Sequence, residues 1–86
     1  MKVYAEVSLY PLETHSIAEP IDRFVSELKQ AGLSVHMGSM STNLSGEADA
    51  LLAAVSKAFE AVGGSDRVVM VMKVSNSCPS GYEQKE

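Results

Sequence analysis

From Val3 to Tyr10 the chain alternates residue by residue: Val3, Ala5, Val7 and Leu9 fall on one side, Tyr4, Glu6, Ser8 and Tyr10 on the other. That is the period of a half-buried strand, and Pro11, with no N–H to give a ladder, marks its end. The period then lengthens. Ile17, Ile21, Phe24, Val25 and Leu28 recur at helical spacing and predict an amphipathic helix. Ser16 and Glu19 have the separation of a capping box, Pro20 fits only the first turn, and Gly32 stands where a left-handed cap belongs. Leu33, Val35 and Met37 alternate again, and Gly38-Ser39 reads as a hairpin turn. Met40, Thr42 and Leu44 then alternate with Ser41, Asn43 and Ser45 until Gly46 breaks a third strand. Ala48, Leu51, Leu52, Val55, Phe59 and Val62 trace a second helix closed by Gly63-Gly64. Val68 to Met72 and Val74 form a nearly continuous apolar run, the pattern of a strand buried on both faces.

The order strand, helix, strand, strand, helix, strand predicts an α+β, ferredoxin-like βαββαβ sandwich. Right-handed crossovers then put both helices on one face of a four-stranded antiparallel sheet. A single domain over residues 1–79 and a fraying polar tail over 80–86 complete the expectation. With 86 residues the chain has room for one domain, and one this small gains from association with copies of itself.

Charge and composition narrow the function. The chain is 45% hydrophobic and 21% charged, with a formal net charge of −4 and no basic cluster, which disfavours a nucleic-acid partner. Its one cysteine, Cys78, excludes an internal disulfide. The strand-like start does not read as a signal peptide, and no apolar run is long enough to span a bilayer, so a cytoplasmic protein without membrane insertion is expected. His15, His36 and Cys78 lack metal-ligand spacing, and no metal site is expected. No positive neighbour in sequence marks Cys78 as a nucleophile.

The first and third strands of such a sheet are central neighbours. If Val3, Ala5, Val7 and Leu9 face the helices, then Glu6, Ser8, Tyr10, His36, Ser41 and Asn43 lie on the opposite, uncovered face. Carboxylate, hydroxyl, imidazole and amide groups gathered there suit the alternating donors and acceptors of an aminopyrimidine. The same polarity also arises on any open sheet face merely because water touches it. The last strand argues for more, since its two-sided apolar pattern would leave valines or methionines in water on an isolated domain. Strips of that kind mark interfaces or ligand walls.

Three segments carry a resemblance: Ser8-Leu9-Tyr10-Pro11-Leu12, Met40-Ser41-Thr42-Asn43-Leu44-Ser45-Gly46, and Val69 through Pro79. In that order they resemble the Ykof-type thiamine/hydroxymethylpyrimidine-binding family, and more loosely the single-domain thiamine-binding proteins. In the latter pattern Ser41 stands where glycine is usual and Ser45 where glutamate is usual. Ykof-type chains carry two such repeats and this one carries one, so a second copy, in a homodimer or homotetramer, would rebuild the pair. The resemblance implies non-catalytic binding of thiamine or its hydroxymethylpyrimidine moiety, in salvage or transport of the vitamin, with no further cofactor. Glu6 would accept from the aminopyrimidine or balance the thiazolium, and Ser8, Ser41, Thr42 and Asn43 would bond the ring edge. Tyr10 or a methionine would pack on its face. Thr42 reads equally as a β-branched residue turned toward the helices.

Two other classes stay open. An oligomeric interaction module of the same fold would use the open face for assembly alone. A small acylphosphatase-like hydrolase would need a glycine-rich anion loop beside an arginine, and neither Arg23, within the first helix, nor Arg67, opening the last strand, falls in one.

Overall fold

The pleat of the opening segment decides everything that follows. The computed structural model describes residues 1–77, and in it Val3, Ala5 and Val7 of strand β1 (Lys2–Pro11) point into the core while Tyr4, Glu6 and Ser8 point away. Helix α1 (Ala18–Gln30) follows, then β2 (Ser34–Met37), β3 (Thr42–Glu47), helix α2 (Ala48–Gly63) and β4 (Val68–Ser75). The strands form one antiparallel sheet in the order β2-β3-β1-β4, so β1 and β3 are the central pair. This is the expected ferredoxin-like βαββαβ sandwich.

One layer of apolar side chains joins the helices to the sheet. Phe24, Val25 and Leu28 of α1 and Leu51, Val55, Ala58 and Val62 of α2 are buried with Val3, Val7 and Leu44 of the strands. Removing such surface from water is the main favourable term in folding. Gly46 has its own part in this packing: a Cβ there would sit 2.7 Å from Leu33 Cδ2, so the missing side chain lets Leu33 close over the edge of β3.

Several local expectations give way to tertiary geometry. The Ser16–Glu19 capping box does not form, because Ile17 occupies the cap position without a side-chain bond. The Thr14 hydroxyl accepts the Ser16 N–H instead, and Glu19 is drawn to Arg23 Nε at 2.8 Å. Arg23 also reaches the Asp66 carboxylate and, at 3.2 Å, Ser65 Oγ, tying α1 to the turn after α2. Gly32 does take the left-handed conformation, with φ of 80°, but Gly64 stays right-handed at φ −69° and closes α2 without a left-handed residue. Met40 lies in the turn rather than in the third strand and is 87% exposed, because the Gly38 N–H closes on the Ser41 carbonyl at 2.8 Å and the ladder restarts only at Thr42.

The two-sided apolar reading of the last strand meets a one-sided environment in the single chain. Val68, Met70 and Met72 are half-buried against the core, whereas Val69 and Val71 stand exposed on the open face. Among the described residues no helix is long and apolar enough to cross a membrane. The expected domain end at Pro79, the tail over 80–86 and Cys78 lie outside the described residues.

Candidate functional site

Strand register assembles the site, because residues directly opposite one another on neighbouring strands share a face. Glu6 of β1 pairs with Asn43 of β3 on one side and Lys73 of β4 on the other. Asn43 pairs in turn with His36 of β2. A row His36, Asn43, Glu6, Lys73 therefore crosses all four strands on the open face. The next row toward the start of β1 is Ser34, Ser45, Tyr4 and Ser75.

Glu6 is the electrostatic centre of this surface. The Ser41 hydroxyl donates to its Oε2 at 2.9 Å, and Lys73 Nζ lies 3.0 Å from its Oε1. Both interactions favour the charged form, so the Glu6 carboxyl is held below its ordinary value of 4.5: the Lys73 hydrogen bond contributes most, then the Ser41 hydroxyl, then the Lys73 charge, against a small opposing effect of burial. Beside the pair lies a cavity of about 440 Å³ lined by Tyr4, Ala5, Glu6, Asn43, Lys73, Val74 and Ser75. That volume is within the range of small-molecule sites, and the lining combines a ring face, an amide, a carboxylate and an ammonium. The Tyr4 ring already holds a cation, the Lys2 ammonium 5.4 Å from its centroid.

Glu6, Ser41, Asn43 and His36 come together as the sequence suggests. Ser8 lies on the same face and donates a long 3.5 Å bond to the Met40 carbonyl. Tyr10 is on that face too, but four residues along the strand, about 13 Å from Glu6, where it pairs with Val69 and is half exposed. Thr42 is not part of the cluster. Its strand partner is the core residue Val7, so pleat parity turns it to the helix side, where it is buried and lines a separate small cleft with Leu9, Phe24 and Met37.

Tyr4, Lys73 and Ser75 enter the cavity without having been picked out as site residues. A signal existed for Lys73, the single charge inside the apolar run of the last strand. Its alignment with Glu6 depends on register, which one strand's sequence does not state. Ser75 also ends β4, its Oγ accepting the Ser77 N–H at 2.9 Å in a local turn. Among the described residues no group of three or more His, Cys, Asp or Glu is placed to hold a metal ion. Arg23 is held by Glu19 and Asp66, and Arg67 pairs with Glu13 at 3.4 Å on the surface.

A family model described as thiamine-binding protein matches residues 5–79. The chain belongs to the thiamine-binding protein family. The match spans all three segments that carry the sequence resemblance. Among solved structures, the chain is similar to a hypothetical protein from Methanocaldococcus jannascii, with 32% identity, coverage of 98% of this chain and 91% of the other, and a TM-score of 0.83. It is similar to a domain of unknown function from Bacillus cereus at 28% identity, over 93% and 79% of the two chains, with a TM-score of 0.77. A provisional thiamine biosynthesis/salvage protein from Thermotoga maritima shares the fold at 20% identity, over 90% and 85% of the chains, with a TM-score of 0.81. No curated protein matches the chain. As a member of the thiamine-binding protein family, the chain presents Glu6, Asn43 and Lys73 in one row on the face that its own helices leave uncovered.

Proposed function

We propose that this protein binds thiamine or its hydroxymethylpyrimidine moiety without catalysis, in the cavity beside Glu6, and serves salvage or transport of the vitamin in the cytoplasm. The observation that carries the reading is the family match across residues 5–79, and the chemistry of the cavity supports it. An aminopyrimidine offers an exocyclic amine to the Glu6 carboxylate, which the Ser41 hydroxyl orients, and ring nitrogens to a donor such as the Asn43 amide. A thiazolium would find the same carboxylate for its charge and the Tyr4 face for stacking.

A second copy of the chain completes the proposal. Val69 and Val71 are 45% and 51% exposed beside the polar row. Covering them against a sister sheet, in a homodimer or homotetramer, removes apolar surface from water and lowers the dielectric around Glu6, which strengthens its bonds to a ligand. The exposed valines also favour a second reading, an interaction module whose open face serves assembly alone.

Titration calorimetry with thiamine and with hydroxymethylpyrimidine distinguishes the two. Saturable heat that is lost in Glu6→Ala and Asn43→Ala, with the oligomer intact, supports ligand binding. Absence of heat and of any thermal shift at millimolar concentrations of both compounds refutes it. Variants that break the oligomer while leaving affinity unmoved favour the interaction module.

A further inference from the structure

Each oxygen of the Glu6 carboxylate is already engaged by a group of the chain itself, one by Ser41 Oγ and the other by Lys73 Nζ. The two partners differ in kind. A hydroxyl at 2.9 Å can stay in place when a ligand arrives, because a carboxylate has lone pairs to spare. An ammonium at 3.0 Å already supplies the positive charge that a cationic ring would bring to the carboxylate. Its side chain is 78% exposed and sits on a flexible stem, so it can swing away and still remain beside the cavity. Lys2, over the Tyr4 ring, places a second ammonium at the same end of the open face.

We propose that Lys73 is a displaceable counter-ion of Glu6 that makes the cavity select thiamine-type ligands carrying a phosphate ester over the free alcohol. The inference rests on the function proposed above and names the ligand class within it. When a thiazolium reaches Glu6 it exchanges for Lys73. With free thiamine, the released ammonium is left next to a second positive charge and has lost its carboxylate. With a phosphate ester, the anion meets the released ammonium, so both partners of the original ion pair are paired again. Hydroxymethylpyrimidine carries neither the cation nor the phosphate, so the exchange gives it no preference of this kind. Because the pair is solvent-screened, the expected preference is modest, about two- to fivefold.

Titration calorimetry of the wild-type chain, Lys73→Met and Lys73→Arg with thiamine, thiamine monophosphate and hydroxymethylpyrimidine tests this, with circular dichroism melts to show that each variant is folded. The wild type should bind the monophosphate about two- to fivefold tighter than thiamine. Lys73→Met should lose or reverse that preference by strengthening thiamine and weakening the ester, and Lys73→Arg should retain it. Hydroxymethylpyrimidine, with neither cation nor phosphate, measures the general effect of each variant on the cavity, against which the ester-to-thiamine ratio is read. A ratio of ester to thiamine affinity that is the same in wild type and Lys73→Met overturns the inference and leaves the proposed function standing. So does a wild-type protein that prefers free thiamine. No binding of any of the three compounds to wild type overturns both.

Discussion

The two faces of the sheet are made from the same strands, yet they obey different rules. On the helix side Val7, Leu44, Phe24 and Leu28 are no more than 2% exposed, and each fills space that others leave. On the open side the side chains are set by register rather than by packing: His36, Asn43, Glu6 and Lys73 line up because four backbones are in phase. The covered face holds the fold together, so it tolerates little change in volume. The open face contributes little to monomer stability and is free to carry recognition. The contrast is sharpest along β4, where Met70 and Met72 are half-buried while Val69 and Val71, one residue away, stand in solvent.

The largest expected effect breaks the covered face. Leu28→Ala removes a wholly buried side chain at the α1–sheet contact and should cost about 2–5 kcal/mol in chemical denaturation. A loss well under 1 kcal/mol would mean that α1 is not clamped on the sheet as described. Next in size is Gly32→Ala, which forces an L-residue into φ of 80° after α1 and should cost about 1–2 kcal/mol in the same assay.

Charging the open face should do the opposite. Val69→Lys with Val71→Lys should change monomer stability by no more than about 0.5 kcal/mol while abolishing the proposed self-association, read by sedimentation velocity beside the wild type. A variant that still sediments as the wild-type oligomer would place the interface elsewhere. The smallest effect sharpens the polar end of that face. The Glu6 carboxyl, followed by NMR, should titrate below 4.5, and Lys73→Met should raise its midpoint more than Ser41→Ala does. A carboxyl with a depressed folded value stabilises the fold above its unfolded value, and that contribution is lost as pH falls through the lowered one. Below pH 4.5 wild type should therefore lose more stability than Lys73→Met, which keeps only the Ser41 contribution.

Much of this was legible from alternation and spacing. The six elements, the central place of β1 and β3, and the outward phase of Glu6 and Asn43 follow from periods that each segment carries locally. The family, too, shows in three short segments that the match over residues 5–79 includes. Thr42 and Met40 show where local reading stops. Strand phase alone turns Thr42 inward, whereas reading its hydroxyl together with its neighbours puts it outward, and the pleat prevails because its partner Val7 is a core residue. Met40 continues the alternation on paper, but the bond from the Gly38 N–H to the Ser41 carbonyl closes the turn first.

Sequence by itself determined which residues seek the interior, since hydrophobic period is a property of neighbours along the chain. Only the folded sheet decided which polar groups meet. The bond from Ser41 to Glu6 spans 35 positions, and the Glu6–Lys73 pair joins the first strand to the last. Such pairs are fixed by how separate strands register against one another, a relation that no single segment encodes and that the shared core imposes on all of them at once.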